Sequence, residues 1–231
     1  EEQTAITMPG KEDIMLYWGS GSPPCWRLMI TLQEKGIQYT DKLLSFGNKE
    51  HKSAEVLALN PRGQLPTFKF GDIVINESLA ACDFLESEYS DQGTRLMPSD
   101  PSTKAMVMQR KHEAMNLYKK AIEDLVYLLW KKTADQDLIK ERMENARTEL
   151  AIWEEYAKKT GAFIAGADFS LADVVFYPAL AFLVRSGLQI EQKYPNLNQY
   201  YKRVTERPSV QNTWPPHWTE NPATGEMLKD L

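Results

Sequence analysis

The sequence has few cysteines, no excess of basic residues and no long apolar run. Cys25 and Cys82 are the only cysteines in 231 residues, too few for a disulfide framework, so we expect a reducing, cytoplasmic compartment. The formal net charge of -5 provides no positive surface for binding nucleic acid. The longest apolar stretch, residues 171–184, contains Asp173 and Pro178 and is too short to cross a bilayer. We therefore predict a buried helix there and no membrane partner.

Motifs typical of metal and cofactor sites are also missing. The sequence has no HExxH, no paired CxxC, no Walker phosphate loop and no dinucleotide-binding glycine fingerprint. We therefore expect neither a metal nor a nucleotide cofactor. What is present is an ordinary globular composition, with 42% hydrophobic and 26% charged residues, which gives no sign of extensive disorder.

Strand and helix patterns alternate through residues 14–94. Residues 14–18 are rich in strand formers and end at a Gly-Ser turn, after which Pro23 and Pro24 open a helix that ends near Gly36. Further patterns predict a strand at residues 38–44, a short helix at 51–58, a hairpin at 67–75 and a helix at 76–89. A strand that follows a helix this closely favours a parallel crossover. We predict a thioredoxin-like α/β domain over residues 14–94, after a polar tail at residues 1–13.

A helical period begins beyond residues 95–103, a breaker-rich stretch that we interpret as a linker. Two predicted helical faces follow, one made of Met108, His112, Met115, Tyr118, Ile122 and Leu125, the other of Ile139, Met143, Ala146, Leu150, Trp153 and Ala157. A capping box of Ser170 and Asp173 starts the buried helix. Residues 214–231 are rich in Trp and Pro and should be irregular. We predict an all-helical domain over residues 104–231.

Ser22 is the strongest candidate for catalysis. The order of strand, Ser22-Pro23-Pro24-Cys25 and helix reproduces the frame of a thioredoxin-type redox loop in which serine replaces the first cysteine. Serine cannot form a disulfide, so dithiol exchange is disfavoured. A hydroxyl at a helix N-terminus can instead donate a hydrogen bond to a bound thiolate, which the helix dipole also stabilises. The alternative is a loop serine that only caps the first helix.

The segment Gln64-Leu65-Pro66 places a proline at the entrance to a predicted strand. A cis bond there would expose the backbone amide and carbonyl of the preceding leucine, with which an extended peptide could pair. The alternative is an ordinary proline of an edge strand, which is the more frequent meaning of such a residue when it is taken alone.

Three polar residues could complete a site for a peptide-like ligand. Glu77 and Ser78 begin a predicted helix, where Ser78 and free backbone amides could bind a carboxylate and Glu77 could face an ammonium group. His51 begins the short second helix, within reach of the first loop in this topology, and could bind a second carboxylate. The plainer alternatives are an N-cap for Glu77 and Ser78, and an inert surface histidine for His51.

Together these residues resemble the glutathione transferase superfamily, and the resemblance covers nearly the whole chain. Ser22 is similar to the serine of the theta, zeta and delta classes. Residues 64–66 are similar to the cis-proline motif of the superfamily, Glu77 and Ser78 to its γ-glutamyl motif, and His51 to a glutathione-contacting residue of the delta and zeta classes. Residues 17–27 and the Trp214-Pro215-Pro216 segment look most like the rho class of fishes and aquatic invertebrates.

The resemblance implies a homodimeric enzyme in which the thiolate of glutathione attacks small hydrophobic electrophiles, a detoxification reaction. Glutathione would be a co-substrate, bound at His51, Gln64, Leu65, Pro66, Glu77 and Ser78, and catalysis would combine proximity with thiolate activation. The helical domain would supply the electrophile pocket, for which Met108, His112, Met115 and Tyr118 are weak candidates, because such a stripe is usually part of the core.

Two other hydroxyls and two other functions remain open. Tyr17 falls close to the position of the catalytic tyrosine of the alpha, mu and pi classes, but a strand residue packed in the core is the simpler interpretation. Ser20 is a weaker reserve, because it comes too early to lie at the start of the helix. The alternative functions are a zeta-like isomerase, whose loop carries Ser-Ser-Cys, and a non-catalytic carrier of hydrophobic ligands.

Overall fold

The chain forms two compact units, Glu1–Gly93 and Thr94–Leu231, in a computed structural model. The structure describes residues 10–131, 135–221 and 225–231. Residues 1–9 of the predicted polar tail lie outside the described residues, and Lys11–Asp13 form a short 3-10 helix directly before the first strand. No helix in the described part of the chain is both long enough and apolar enough to span a membrane.

The first unit contains a four-stranded sheet and three α-helices, which confirms the thioredoxin-like prediction. The elements in chain order are β1 (Ile14–Trp18), α1 (Pro23–Glu34), β2 (Thr40–Leu43), a 3-10 helix (Glu50–Lys52), α2 (Ala54–Leu59), β3 (Thr67–Phe70), β4 (Ile73–Ile75) and α3 (Ser78–Glu88). The strand order is β2-β1-β3-β4. As predicted, β1 and β2 are parallel, and β3 and β4 form an antiparallel hairpin.

The core of this unit lies on the central strands and on α1. Leu16 of β1 pairs with Phe68 of β3, and both side chains are fully buried. Helix α1 packs against α3 and buries Leu28, Ile30 and Leu32, so its apolar face fixes it to the rest of the unit. The start of α1, which follows β1 after a four-residue turn, is thereby held in place relative to the sheet.

A buried ion pair joins the C-terminal ends of α1 and α3. The Nζ atom of Lys35, which follows α1, lies 2.5 Å from a carboxylate oxygen of Glu86 on α3, and the lysine side chain is fully buried. Lys35 also donates a hydrogen bond of 3.0 Å to the backbone carbonyl of Tyr89. Both charges are removed from water, so each one compensates the other. Loss of either partner would leave an unpaired buried charge and destabilise the packing of α1 against α3.

The second unit is all helical, as predicted. Its elements are α4 (Pro101–Leu117), a π-helical segment (Tyr118–Val126), α5 (Tyr127–Leu129), α6 (Gln136–Thr160), α7 (Leu171–Arg185), α8 (Ile190–Lys193), α9 (Pro195–Thr205), α10 (Pro208–Gln211) and α11 (Pro216–Glu220). Helix α4 begins within the stretch that the sequence predicts as a linker, because Asp100 caps it by accepting a hydrogen bond of 2.8 Å from the Thr103 amide.

The predicted face of α6 is present, but that of α4 is not. Ala146, Leu150, Trp153 and Ala157 are buried along α6. On α4 the buried residues are instead Val107, Lys111, Ala114 and Leu117, whereas Met108 and His112 are exposed. Ile122 and Leu125 in the π-helical segment that follows are buried, so they do not share a face with the exposed Met108. The single continuous face predicted for this stretch is therefore wrong.

The buried helix α7 starts as predicted. An oxygen of the Asp173 carboxylate accepts hydrogen bonds of 2.9 Å from both the amide and the hydroxyl of Ser170, which forms the capping box. Its other oxygen accepts a hydrogen bond of 2.8 Å from the Ile164 amide. Burial raises the pKa of Asp173 to about 6, although these hydrogen bonds oppose the change. The carboxylate thus fixes both the helix start and the preceding loop.

The Trp- and Pro-rich tail is more regular than the sequence suggests. Pro216–Glu220 form α11, and the Trp214 ring packs edge-on against Trp218 with 5.6 Å between centroids. Leu228 and Leu231 are buried, so the end of the chain is also fixed to the second unit. The expectation of an irregular tail is wrong for α11, because proline at the first position of a helix starts the helix rather than breaking it.

We expect Lys35→Met to lower the free energy of unfolding by about 3–5 kcal/mol, because the buried carboxylate of Glu86 would lose its partner charge. Glu86→Leu should destabilise the protein for the converse reason. The double variant Lys35→Met/Glu86→Leu should be more stable than either single variant, since it buries no unpaired charge. Urea denaturation followed by circular dichroism measures the free energy of unfolding of all three variants. If the loss of stability in the double variant equals the sum of the two single losses, the two charges are not coupled.

Candidate functional site

One edge of the sheet collects the residues that the sequence predicts for the site. Since β1 and β2 are parallel, and β3 is antiparallel to both β1 and β4, this edge contains the ends of β1, β2 and β4 and the start of β3. Ser22 follows β1, His51 follows β2, Leu65 precedes β3 and Ser78 follows β4. Four segments that are distant in sequence therefore meet at one edge of the first unit.

Ser22 is the N-cap residue of α1 and is half-buried. Its amide donates a hydrogen bond of 3.2 Å to the carbonyl of Gly19, which closes the turn after β1. In the described residues its hydroxyl makes no capping hydrogen bond to the first turn of α1, so the simple capping alternative does not account for it. The first turn of α1 also contains no acidic residue, so its positive dipole is not neutralised locally.

The Cys25 thiol lies under this hydroxyl in the first turn of α1. It is fully buried, and burial raises its pKa to about 11, although hydrogen bonds with the Ser22 side chain and the Gly19 backbone oppose the change. Cys25 is therefore a neutral thiol at neutral pH. Neither cysteine forms a disulfide and both are buried, so neither resembles the exposed thiolate of a redox loop.

Tyr17 is buried in β1, and its hydroxyl is already engaged. It donates a hydrogen bond of 2.8 Å to one oxygen of Glu55, whose other oxygen lies 2.7 Å from Lys42. Burial, followed by the adjacent carboxylate, raises the pKa of Tyr17 to about 12. A phenol that donates to a carboxylate has no proton available for a bound thiolate. Ser20, the other reserve residue, is half-buried in the turn that precedes Ser22.

The Gln64-Leu65-Pro66 segment has the geometry that the sequence predicts, including a cis bond between Leu65 and Pro66. The buried side chain of Asn60 orders this loop by donating a hydrogen bond of 2.9 Å to the carbonyl of Gln64. Among the described residues, the backbone amide and carbonyl of Leu65 form no hydrogen bond. They therefore remain available for pairing with a ligand.

At the start of α3, a buried hydroxyl adjoins an exposed carboxylate. The Oγ atom of Ser78 accepts a hydrogen bond of 3.4 Å from Arg27, a buried arginine of α1. Glu77 is the N-cap residue and is exposed, and its carboxylate has no ion-pair or hydrogen-bond partner in the part of the chain that the structure describes. A cation can therefore reach Glu77 from solvent beside a helix N-terminus that favours an anion.

His51 lies in the 3-10 helix after β2, and its ring packs edge-on against Phe46 with 5.2 Å between centroids. Its Nδ1 atom is buried and forms no hydrogen bond within the described residues. Burial, followed by the charge of Lys52, lowers the pKa of His51, so the ring is neutral at neutral pH. A neutral imidazole can donate one hydrogen bond and accept another, which suits a ligand.

Sequence reasoning missed three residues that shape this edge, namely Arg27, Asn60 and Phe46. Arg27 could have been noticed as a single charge within an apolar helix, and Asn60 as the residue before a proline-containing turn. Phe46 has no such signal, because its importance comes from a contact with Gly19 across the sheet edge. The pocket candidates Met108, His112, Met115 and Tyr118 lie in the second unit, where none is fully buried.

Comparison with known proteins identifies two domain families in this chain. The N-terminal domain model of glutathione S-transferases matches residues 21–88, and the C-terminal domain model matches residues 106–208. Glutathione S-transferase A of Pleuronectes platessa is 51% identical over 225 residues, which are 95% of this chain and 99% of that protein. Glutathione S-transferase 3 of Zea mays is 27% identical over 206 residues, with 87% and 92% of the two chains covered.

Solved structures agree with these matches. A glutathione S-transferase from the Antarctic clam Laternula elliptica has a TM-score of 0.87 and 46% identity, covering 95% of this chain and 99% of its own. Glutathione S-transferase-I bound with lactoylglutathione has a TM-score of 0.73 and 27% identity, covering 87% and 98% of the two chains. The similarity therefore extends over both units.

We expect Cys25 and Cys82 of the native protein to react with iodoacetamide at neutral pH at least about tenfold more slowly than after unfolding in urea, because each thiol is buried and that of Cys25 is neutral. Peptide mapping by mass spectrometry reports the two cysteines separately. Rapid alkylation of Cys25 in the folded protein would contradict the assignment of an inert thiol, and would reopen redox chemistry for this loop.

Proposed function

This chain belongs to the glutathione S-transferase family, and from that premise we propose that Ser22 activates the thiol of glutathione for attack on hydrophobic electrophiles. The observation that carries this proposal is the half-buried Ser22 hydroxyl at the N-terminus of α1, which caps no amide of that helix in the described residues. A hydrogen bond and a helix dipole at this point both favour a thiolate. The pKa of a free thiol is about 8.5, and each unit of depression increases the ionised fraction about tenfold at neutral pH.

We propose that glutathione binds along the same sheet edge. The backbone of Leu65, between Gln64 and Pro66, would pair with the peptide, and Glu77 would bind the ammonium group of the γ-glutamyl residue. Ser78 and the first amides of α3 would bind its carboxylate, and His51 the carboxylate of the glycine. Support comes from polar groups here that have no partner among the described residues: the Leu65 backbone, the Glu77 carboxylate and the Nδ1 atom of His51.

The electrophile pocket is proposed to involve the second unit. Met108 and His112 are exposed on α4, and Met115 and Tyr118 are half-buried on the same stretch. Methionine side chains adapt to ligands of different shape, which suits an enzyme that accepts several electrophiles. Catalysis would then be the sum of thiolate activation and proximity, and we propose that it requires neither a metal nor a nucleotide.

Four finer assignments accompany this proposal. Residues 17–27 and the Trp214-Pro215-Pro216 segment resemble the rho class, which supports membership of that class. Membership of the rho class would imply a homodimer and a role in detoxification. Two buried cysteines that form no disulfide support a cytoplasmic location, where thiols stay reduced. The comparisons do not favour the alternatives of a zeta-like isomerase or a non-catalytic carrier, because the relatives that cover most of this chain are named as transferases.

Removing the hydroxyl of Ser22 should raise the pKa of bound glutathione toward the value of about 8.5 of a free thiol. We expect Ser22→Ala to lower kcat with a chloronitrobenzene acceptor about tenfold for each unit of that change, while the dissociation constant of glutathione stays near normal. The ultraviolet absorbance of the thiolate, titrated against pH, measures the pKa of the bound thiol directly, and a carrier would leave that pKa at its solution value.

Tyr17→Phe is the matched control, since it also removes one hydroxyl from the first strand and loop. The hydrogen bond to Glu55 would be lost, at a cost of about 1 kcal/mol in stability, but turnover should change less than twofold. If Tyr17→Phe abolishes the thiolate signal and Ser22→Ala preserves it, the catalytic hydroxyl belongs to Tyr17.

Glu77→Gln should weaken glutathione binding about tenfold, because a charged hydrogen bond to the ligand ammonium is lost. The value of kcat at saturating glutathione should change little, since this ammonium is remote from the sulfur. Glu88→Gln is a matched control, because Glu88 is an exposed carboxylate at the other end of α3. Isothermal titration calorimetry measures the dissociation constant of glutathione for each variant. Equal affinities of Glu77→Gln and Glu88→Gln for glutathione would contradict the proposed docking of the ligand.

A further inference from the structure

Phe46 is an exposed aromatic residue in the loop that follows β2. The residue is 44% exposed, although its ring lies at the sheet edge where the site residues meet. An aromatic ring so exposed contributes less to stability by burial than one in the core. Burial of the ring therefore does not explain why an aromatic residue is placed here, and its contacts have to be considered.

The backbone of this loop is held firmly in place. The Leu44 amide donates a hydrogen bond of 2.8 Å to the carbonyl of Trp18, so the pairing of β2 with β1 continues up to the loop. Beyond it, the carbonyl of Phe46 accepts a hydrogen bond of 3.1 Å from the Lys49 amide, and the Glu50 carboxylate accepts one of 2.7 Å from the Ser45 amide. Phe46 is thus presented by an internally bonded turn.

The ring of Phe46 lies directly against the backbone of Gly19. A Cβ atom added at Gly19 would lie only 2.1 Å from Cε2 and 2.5 Å from Cζ of that ring. The φ angle of Gly19 is not positive, so an alanine would suit its backbone, and the three atoms nearest to the added Cβ all belong to the Phe46 ring. The absence of a side chain at Gly19 therefore lets the Phe46 ring pack directly on the backbone of the turn.

This contact continues to the proposed catalytic residue through a single hydrogen bond. The carbonyl of Gly19 accepts the hydrogen bond from the Ser22 amide, so the residue under the ring also closes the turn that presents the Ser22 hydroxyl. The ring of Phe46 also packs edge-on against the ring of His51. Phe46 thus contacts the loop of Ser22 and the short helix of His51 at the same time.

We propose that Phe46 is a positioning residue, whose ring fixes the Gly19 turn and thereby holds the Ser22 hydroxyl at the glutathione sulfur, with His51 aligned beside it. Phe46 acts through its neighbours and takes no part in the chemical step. This inference rests on the proposed function of Ser22. It explains why an exposed ring is placed in an ordered turn and why that ring lies in contact with a glycine.

The test compares three variants with the wild type by the pKa of enzyme-bound glutathione, by its dissociation constant and by kcat/KM. Phe46→Ala should raise the pKa of the bound thiol by about one unit, and lower kcat/KM at neutral pH about tenfold. Phe46→Tyr keeps the ring and should restore both values. Leu43→Ala is the control, because Leu43 is similarly exposed at 50% and lies three residues earlier. It should leave all three quantities unchanged.

A double-mutant cycle with Gly19 tests the route of the effect. Gly19→Ala should raise the pKa of the bound thiol about as much as Phe46→Ala, because the added Cβ would push the ring out of its contact with the turn. In the double variant Gly19→Ala/Phe46→Ala the clash disappears, so its thiol pKa should be no higher than that of Phe46→Ala alone. Additive effects of the two changes, or an unchanged thiol pKa in Phe46→Ala, would overturn the proposal. A change only in the oligomeric state of Phe46→Ala would do so too.

The wild-type protein and Ser22→Ala, measured alongside, separate this inference from the proposed function. If the wild type lowers the pKa of bound glutathione and Ser22→Ala does not, the function of Ser22 stands whatever Phe46→Ala shows. If the wild type leaves that pKa at its solution value, the proposed function fails and the role of Phe46 fails with it.

Discussion

The proposed thiol activation depends on the N-terminus of α1. An anion there would meet the positive end of the dipole of a twelve-residue helix, and the first turn carries no acidic side chain that would cancel the effect. Pro23 and Pro24 have no N–H group, so Cys25 supplies the first backbone amide of this helix. The helix can act in this way only if its start is fixed in space. Its apolar face and the Lys35–Glu86 ion pair attach it to α3, and the turn closed by Gly19 and Ser22 attaches it to β1.

The topology of the sheet determines what surrounds that helix end. Because β3 runs against both of its neighbours, the segment before β3 and the segment after β4 reach the same edge as the ends of β1 and β2. Each segment contributes a different polar group: a hydroxyl, an imidazole, free backbone atoms and a carboxylate. An extended peptide that carries charges at both ends is the kind of ligand that such a spread of groups suits.

Much of this arrangement could be predicted from the sequence. The strand of Ile14–Trp18, the helix opened by Pro23 and the Ser170–Asp173 capping box follow from local chemistry, and they were predicted close to their observed positions. The continuous face predicted from Met108 to Leu125 is wrong, because Met108 and His112 are exposed whereas Leu125 is buried, and at about 3.6 residues per turn the two ends of this series lie on different sides of the helix. Contacts between distant segments, such as Lys35 with Glu86 or Phe46 with Gly19, leave no local pattern.

The neutral thiol of Cys25 is part of the same electrostatic design. A thiolate at that position would place a negative charge in the first turn of α1, directly beneath the point where a bound sulfur would ionise, and would raise the pKa of that sulfur. Burial raises the pKa of Cys25 to about 11 and so prevents this competition, even though the helix start would otherwise favour its ionisation. The helix end thus keeps its stabilising capacity for a ligand. If Ser22 activates a bound thiol as proposed, burial of Cys25 therefore serves the same purpose as the absence of acidic residues from the first turn of α1.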